Sequence, residues 1–101
     1  MIRHIVLFRF KEEAEGRSKK ENLELIRALL LALPEKIPYI LETCVEIGAE
    51  GSAPANADLM LCSDFASFED LERYLVHPDH VAVGKAMSPL RESRMAIDLS
   101  V

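Results

Sequence analysis

Ile2-Arg3-His4-Ile5-Val6-Leu7-Phe8-Arg9-Phe10 opens the chain with a run dense in β-branched and aromatic residues. Successive side chains of a strand point to opposite faces, so His4, Val6, Phe8 and Phe10 share one face and Ile5 and Leu7 the other. Both faces are largely apolar, the pattern of a strand covered on both sides. Whatever covers the second face therefore decides the architecture.

Working outward, Lys11 to Arg17 is polar and contains Gly16, and Ser18-Lys19-Lys20-Glu21 has the capping-box spacing that starts a helix. Leu23, Ile26, Leu30 and Leu33 recur at helical spacing, Leu25 and Leu29 widen the stripe, and Pro34 stops it. Tyr39 to Ile47 alternates in part and reads as a second strand. Gly48 to Asn56, with two glycines and a proline, reads as a loop, and Asp58 to Phe65 as a third strand. Ser67 caps a second helix with Phe68, Leu71 and Leu75 as its buried stripe. Beyond Pro78, His80 to Met87 has room for a further helical turn or two. Met95, Ile97, Leu99 and Val101 then alternate with Ala96, Asp98 and Ser100 as a closing strand. The order β-α-β-β-α-β predicts an α+β, ferredoxin-like fold with a four-stranded antiparallel sheet, as one domain over residues 1–101. Two helices cover only one face of such a sheet. The apolar second faces of the first and third strands thus predict a homodimer with sheets stacked face to face.

Composition narrows the function. Of 101 residues half are hydrophobic and 29% charged, which suits a folded chain, and the net charge is −5 with the twelve Lys and Arg dispersed. Nucleic-acid binding, which rests on clustered cations, is disfavoured. The longest apolar run, Ala28 to Leu33, is far short of the ~20 residues that cross a bilayer, and the start lacks a signal-peptide pattern. These features predict no membrane partner and a cytoplasmic location. Cys44 and Cys62 show no metal-knuckle spacing and are expected to be reduced, buried thiols.

The chemistry-bearing residues gather at Tyr74-Leu75-Val76-His77-Pro78-Asp79-His80-Val81, which holds two of the three histidines. A helix ending before Pro78 leaves His80 on irregular backbone, free to face a pocket. His80 suits a general base because imidazole titrates near neutrality, and Tyr74 suits a group that orients a substrate oxygen. The competing reading has His80 bonding a carbonyl at the helix end. His77 is assigned to stabilising that helix's C-terminus. His4, on an apolar strand face, gains a catalytic role only by converging with His80. His77, Asp79 and His80 offer ligand types without a further ligand, so neither a metal nor a cofactor is expected. Arg91, Glu92 and Arg94 read as edge or loop charges.

The opening strand His4-Ile5-Val6-Leu7-Phe8-Arg9-Phe10-Lys11, the Leu-rich helix ending in Pro34, and His77-Pro78-Asp79-His80-Val81 together resemble the stress-responsive A/B barrel (Dabb) family over essentially the whole chain. That resemblance implies a ferredoxin-like protomer dimerising into a shared α+β barrel. One branch resembles plant polyketide cyclases that perform an aldol closure with a histidine base. The resemblance carries that role to His80, with His4 and Tyr74 assisting, while Ile26 stands where such cyclases place a pocket tyrosine. Three functions follow as expectations: a homodimer with a mostly apolar pocket for a small organic ligand, an enzyme of the cyclase or isomerase kind with His80 as base, and a purely structural role. The binding role predicts a cavity of at least ~300 Å³.

Overall fold

The capping box at Ser18 forms as its spacing requires. The Ser18 hydroxyl accepts from the Glu21 amide at 3.2 Å and the Glu21 carboxylate accepts from the Ser18 amide at 3.1 Å. The computed structural model describes all 101 residues. In chain order its elements are β1 (Ile2–Phe10), the two-residue strands β2 (Glu13–Ala14) and β3 (Arg17–Ser18), α1 (Lys19–Leu31), α2 (Leu33–Lys36), β4 (Glu42–Ile47), β5 (Leu59–Phe65), α3 (Phe68–Leu75), α4 (Pro78–Met87) and β6 (Arg91–Ser100). The main sheet runs β4-β5-β1-β6 with every neighbour antiparallel. This is the predicted ferredoxin-like α+β arrangement.

The polar segment after β1 forms a small two-stranded ribbon. Glu15 (φ 54°) and Gly16 (φ 74°) are both left-handed, the backbone a tight β2–β3 turn needs. Fully buried Asn22 of α1 holds the ribbon in place, donating to the Ala14 carbonyl at 3.1 Å and accepting from Arg17 at 2.7 Å.

The core lies between the helices and one sheet face. His4, Val6, Phe8 and Phe10 are all buried there, beside Leu23, Ile26, Leu30 and Leu33. Ile26 is fully enclosed. The opposite sheet face carries Leu7, Met95, Ile97 and Leu99, all exposed. No helix of the structure is long and apolar enough to cross a membrane.

Several expectations are corrected. Leu25 is exposed, so the α1 stripe is narrower than its leucines suggest. The second strand starts at Glu42, because Ile37 and Ile40 first bury their side chains in a turn closed by the Ile40 amide on the Ile37 carbonyl. On α3 the buried pair is Leu71 and Tyr74, whereas Phe68 is 55% exposed and Leu75 38%. The closing strand begins at Arg91, four residues before Met95, since β1 pairs with it back to Phe10. Cys44 and Cys62 sit directly opposite each other on β4 and β5, Cys44 exposed and Cys62 half-buried, away from the core.

Candidate functional site

The histidine–proline segment folds differently from a simple helix end. Pro78 forces its predecessor out of helical backbone, and His77 adopts φ −65°, ψ 135°. That conformation makes His77 the N-cap of α4, where its Nδ1 accepts from the Asp79 amide at 3.1 Å. The assignment of His77 to the preceding helix's C-terminus is thus reversed, because Pro78 begins a new helix at its first position instead of ending order. His80 consequently stands in the first turn of a ten-residue helix, not on irregular backbone.

From that turn the His80 ring reaches back to α3. Its Nδ1 lies 3.1 Å from the Leu75 carbonyl, one of the acceptors a helix end leaves unpaired. A carbonyl can only accept, so Nδ1 carries the proton and Nε2 keeps its lone pair. Burial holds the His80 pKa below the ordinary 6.5, the Leu75 bond opposes that, and the positive potential of His4, Arg94 and His77 adds to it. The imidazole is neutral near pH 7 in the form that accepts a proton. The carbonyl bond expected of a structural histidine and the free Nε2 required of a base coexist in one side chain.

His4 is fixed in a parallel way from the opposite end of the fold. β1 and β6 place it directly across from Asp98, and its Nδ1 lies 2.5 Å from the Asp98 carboxylate. The carboxylate orients the ring and leaves Nε2 without a protein partner.

Tyr74 lies behind both rings. Its ring centroid is 4.3 Å from His80, 6.5 Å from His4 in an edge-on contact, and 5.0 Å from Phe65. It is 1% exposed, and burial pushes its phenol up to about 12. Tyr74 is therefore protonated at neutral pH and supports the two imidazoles from the core side.

His4 and His80 border one cavity of about 220 Å³ between β1, α1, α4 and the start of β6. Its apolar wall includes Val6, Phe8, Leu61 and Met87; Tyr74 is not on that wall. The remaining polar lining is Arg91 and Arg94. The cavity is smaller and more polar than the ~300 Å³ apolar pocket expected. Reading Arg91 and Arg94 as edge or loop charges missed them, although Arg94, Ala96 and Asp98 alternate along the strand and share a face with His4. Extending that alternation back from Met95 finds Arg94 but not Arg91, which a break in the register brings to the same face. No three His, Cys, Asp or Glu side chains are gathered closely enough to hold a metal ion.

Comparison with known proteins places this geometry. The model of the stress responsive A/B barrel domain matches residues 2–101. A stress-response A/B barrel domain-containing protein of Arabidopsis thaliana is 31% identical over 99 residues, 97% of this chain and 36% of that protein. The chain thus spans about a third of the length of that curated relative. A dimeric protein of unknown function and ferredoxin-like fold from Bacteroides fragilis superimposes with a TM-score of 0.88 at 29% identity, covering 99% of this chain and 95% of that one. A dimeric ferredoxin-like protein of unknown function from Thermobifida fusca gives a TM-score of 0.81 at 27% identity, covering 99% and 90%. The opening-strand histidine and the His77-Pro78-Asp79-His80 element had pointed the same way, and with the family model spanning all but the first residue, the chain belongs to the stress-responsive A/B barrel domain family.

Proposed function

We propose that the protein is a homodimer in which each protomer binds a small organic molecule in the cavity bordered by His4 and His80. One observation carries the binding role: two imidazoles from distant parts of the sequence reach the same cavity, each with Nδ1 anchored and Nε2 left unpaired. Side chains that only stabilised the fold would have no reason to keep matched nitrogens free beside an open volume. The dimer is supported by the exposed apolar face of Leu7, Met95, Ile97 and Leu99, and by the dimeric state of the related Bacteroides fragilis and Thermobifida fusca proteins.

A second reading is supported by the tautomer and lowered pKa of His80. An unprotonated Nε2 at neutral pH suits removal of a proton next to a carbonyl, as in a cyclase or isomerase, with His80 as general base. His4, held by Asp98, can hand a proton from Nε2 to the oxygen that gains charge only as the imidazolium, ion-paired with that carboxylate, and Tyr74 keeps both rings in position.

Thermal-shift measurements and amide NMR with a panel of small aromatic and polyketide-like acids, on wild type and His80→Ala, test both. Stabilising ligands that perturb the amides of β1 and α4 are expected. A panel without one stabilising member up to millimolar concentration overturns the cavity reading. Exchange of the proton beside the ligand carbonyl in deuterated buffer, lost in His80→Ala, is the result expected of the base, whereas binding without exchange confines the protein to binding.

A further inference from the structure

The cavity's charge is as specific as its shape. Asp and Glu outnumber Lys and Arg by 17 to 12 in the chain, yet no carboxylate lines this cavity, while two guanidiniums do. Neither Arg91 nor Arg94 makes an ion pair or a side-chain hydrogen bond within the protein, although Arg3, Arg9, Arg27 and Arg73 each find a carboxylate. In an acidic chain, two arginines that border one cavity without a carboxylate partner leave their guanidiniums free to take a ligand's negative charge.

A register shift creates this arrangement. β6 pairs Phe8 with Arg94 and Arg9 with Ser93, but Phe10 pairs with Arg91, so Glu92 is the extra residue of a bulge. An unbroken ladder would set Glu92 opposite Phe10, on the face of His4, Val6 and Phe8. With the bulge, Arg91 takes that place, and the Glu92 carboxylate turns away to lie 3.7 Å from Arg9. One inserted residue thus exchanges an acid for a base at the cavity wall. Bulges recur beside functional sites because they re-aim a side chain in this way.

We propose that the ligand of this cavity is a small organic acid whose carboxylate is held by Arg91 and Arg94 while its apolar body lies along Val6, Leu61 and Met87. The proposal rests on the binding role above and names its ligand class. Planar guanidiniums match a carboxylate's two oxygens, and the apolar wall excludes a bare inorganic anion as a full occupant. The acid's carbon skeleton then extends toward the free Nε2 atoms of His4 and His80.

Calorimetric titration of wild type, Arg94→Gln and Arg91→Gln with sodium benzoate, its neutral isostere benzamide, and acetate tests this directly. Wild type is expected to bind benzoate about ten- to a hundredfold more tightly than benzamide, from the strength of charge-assisted bonds. Either glutamine variant should weaken benzoate by about tenfold while leaving benzamide unchanged, and acetate should bind more weakly than benzoate. Equal affinity for benzoate and benzamide, or an unchanged benzoate affinity in both variants, overturns the acid proposal while the cavity stands. Acetate binding as tightly as benzoate overturns the role of the apolar wall. No heat from any of the three, with amide NMR of β1 and α4 also unmoved, overturns the binding role itself. Circular dichroism of the variants checks the fold, which exposed Arg94 in particular does not support.

Discussion

His80 joins two helices and faces a cavity with the same ring, and its titration reports on that position. The unfolded chain takes up a proton on this imidazole near pH 6.5, whereas the folded protein, whose burial disfavours the charge, does so only at lower pH. Stability is therefore full above the unfolded value and falls as the pH drops through it. Urea melts of wild type should lose more stability between about pH 7 and about pH 5 than those of His80→Gln, whose amide can still donate to Leu75. Parallel slopes for the two proteins would refute the half-buried neutral imidazole. Asp64 does not confuse this window: its bidentate pair with Arg3, at 2.8 and 3.1 Å, holds its carboxyl below the usual value, so its contribution is lost only at more acid pH. The identity of His4, Tyr74 and His80 as a group was legible from residue chemistry and the family motif. Their division of labour was not. Tyr74 stands behind the imidazoles because it completes the buried face of α3, which Phe68 and Leu75 vacate.

At the scale of elements, α4 carries most of what the cavity is. It supplies His80 and Met87 to the wall, and between them Gly84, a residue of low helix propensity in mid-helix. A Cβ added at Gly84 would meet no atom within 4 Å, so the space beside it is open. Gly84→Leu is expected to raise helix stability by about 0.5 to 1 kcal/mol and at the same time fill the cavity and abolish ligand binding. A thermal melt paired with a benzoate titration checks both halves, and a variant that is more stable yet binds as wild type refutes the placement of the ligand beside α4. Helix starts were readable in advance because caps are local: Ser18 and Ser67 each bond the amide three residues on, as their spacing requires. The start of α4 was misjudged because Pro78 both ends one helix and opens another, and which of these dominates depends on where the following residues can pack.

For the whole molecule, the sheet's two faces have separate fates. One is closed by the helices over a core that includes Val6, Phe8, Phe10, Ile26 and Leu71. The other leaves Ile97 56% and Met95 72% exposed beside Leu7. Ile5 pairs with Ile97 and Leu7 with Met95 across the β1–β6 ladder, so these form one continuous apolar strip. In the proposed dimer that strip is covered by the second copy. Light scattering should give twice the 11.3 kDa chain mass for wild type and a single chain mass for the Met95→Lys/Ile97→Lys variant. A monomeric wild type at micromolar concentration would refute the dimer. The strip was foreseen from the two-faced apolar pattern of Ile2 to Phe10, since a period of two places every other residue on the far side whatever the rest of the chain does.

The sequence by itself determined the order of the four main strands and the helices between them, the grouping of His4, Val6, Phe8 and Phe10 on one face of β1, the serine caps of α1 and α3, and the presence of two conspicuous imidazoles. All of these follow from periodicity and capping within a few residues of each position. Only the tertiary structure decided what the site is made of. Arg91 reaches the cavity because a bulge shifts the β1–β6 register by one residue, His4 finds Asp98 across 94 positions, and His80 is set by a carbonyl on a different helix. Register and inter-element contacts depend on partners far apart in the chain, and no local pattern encodes them.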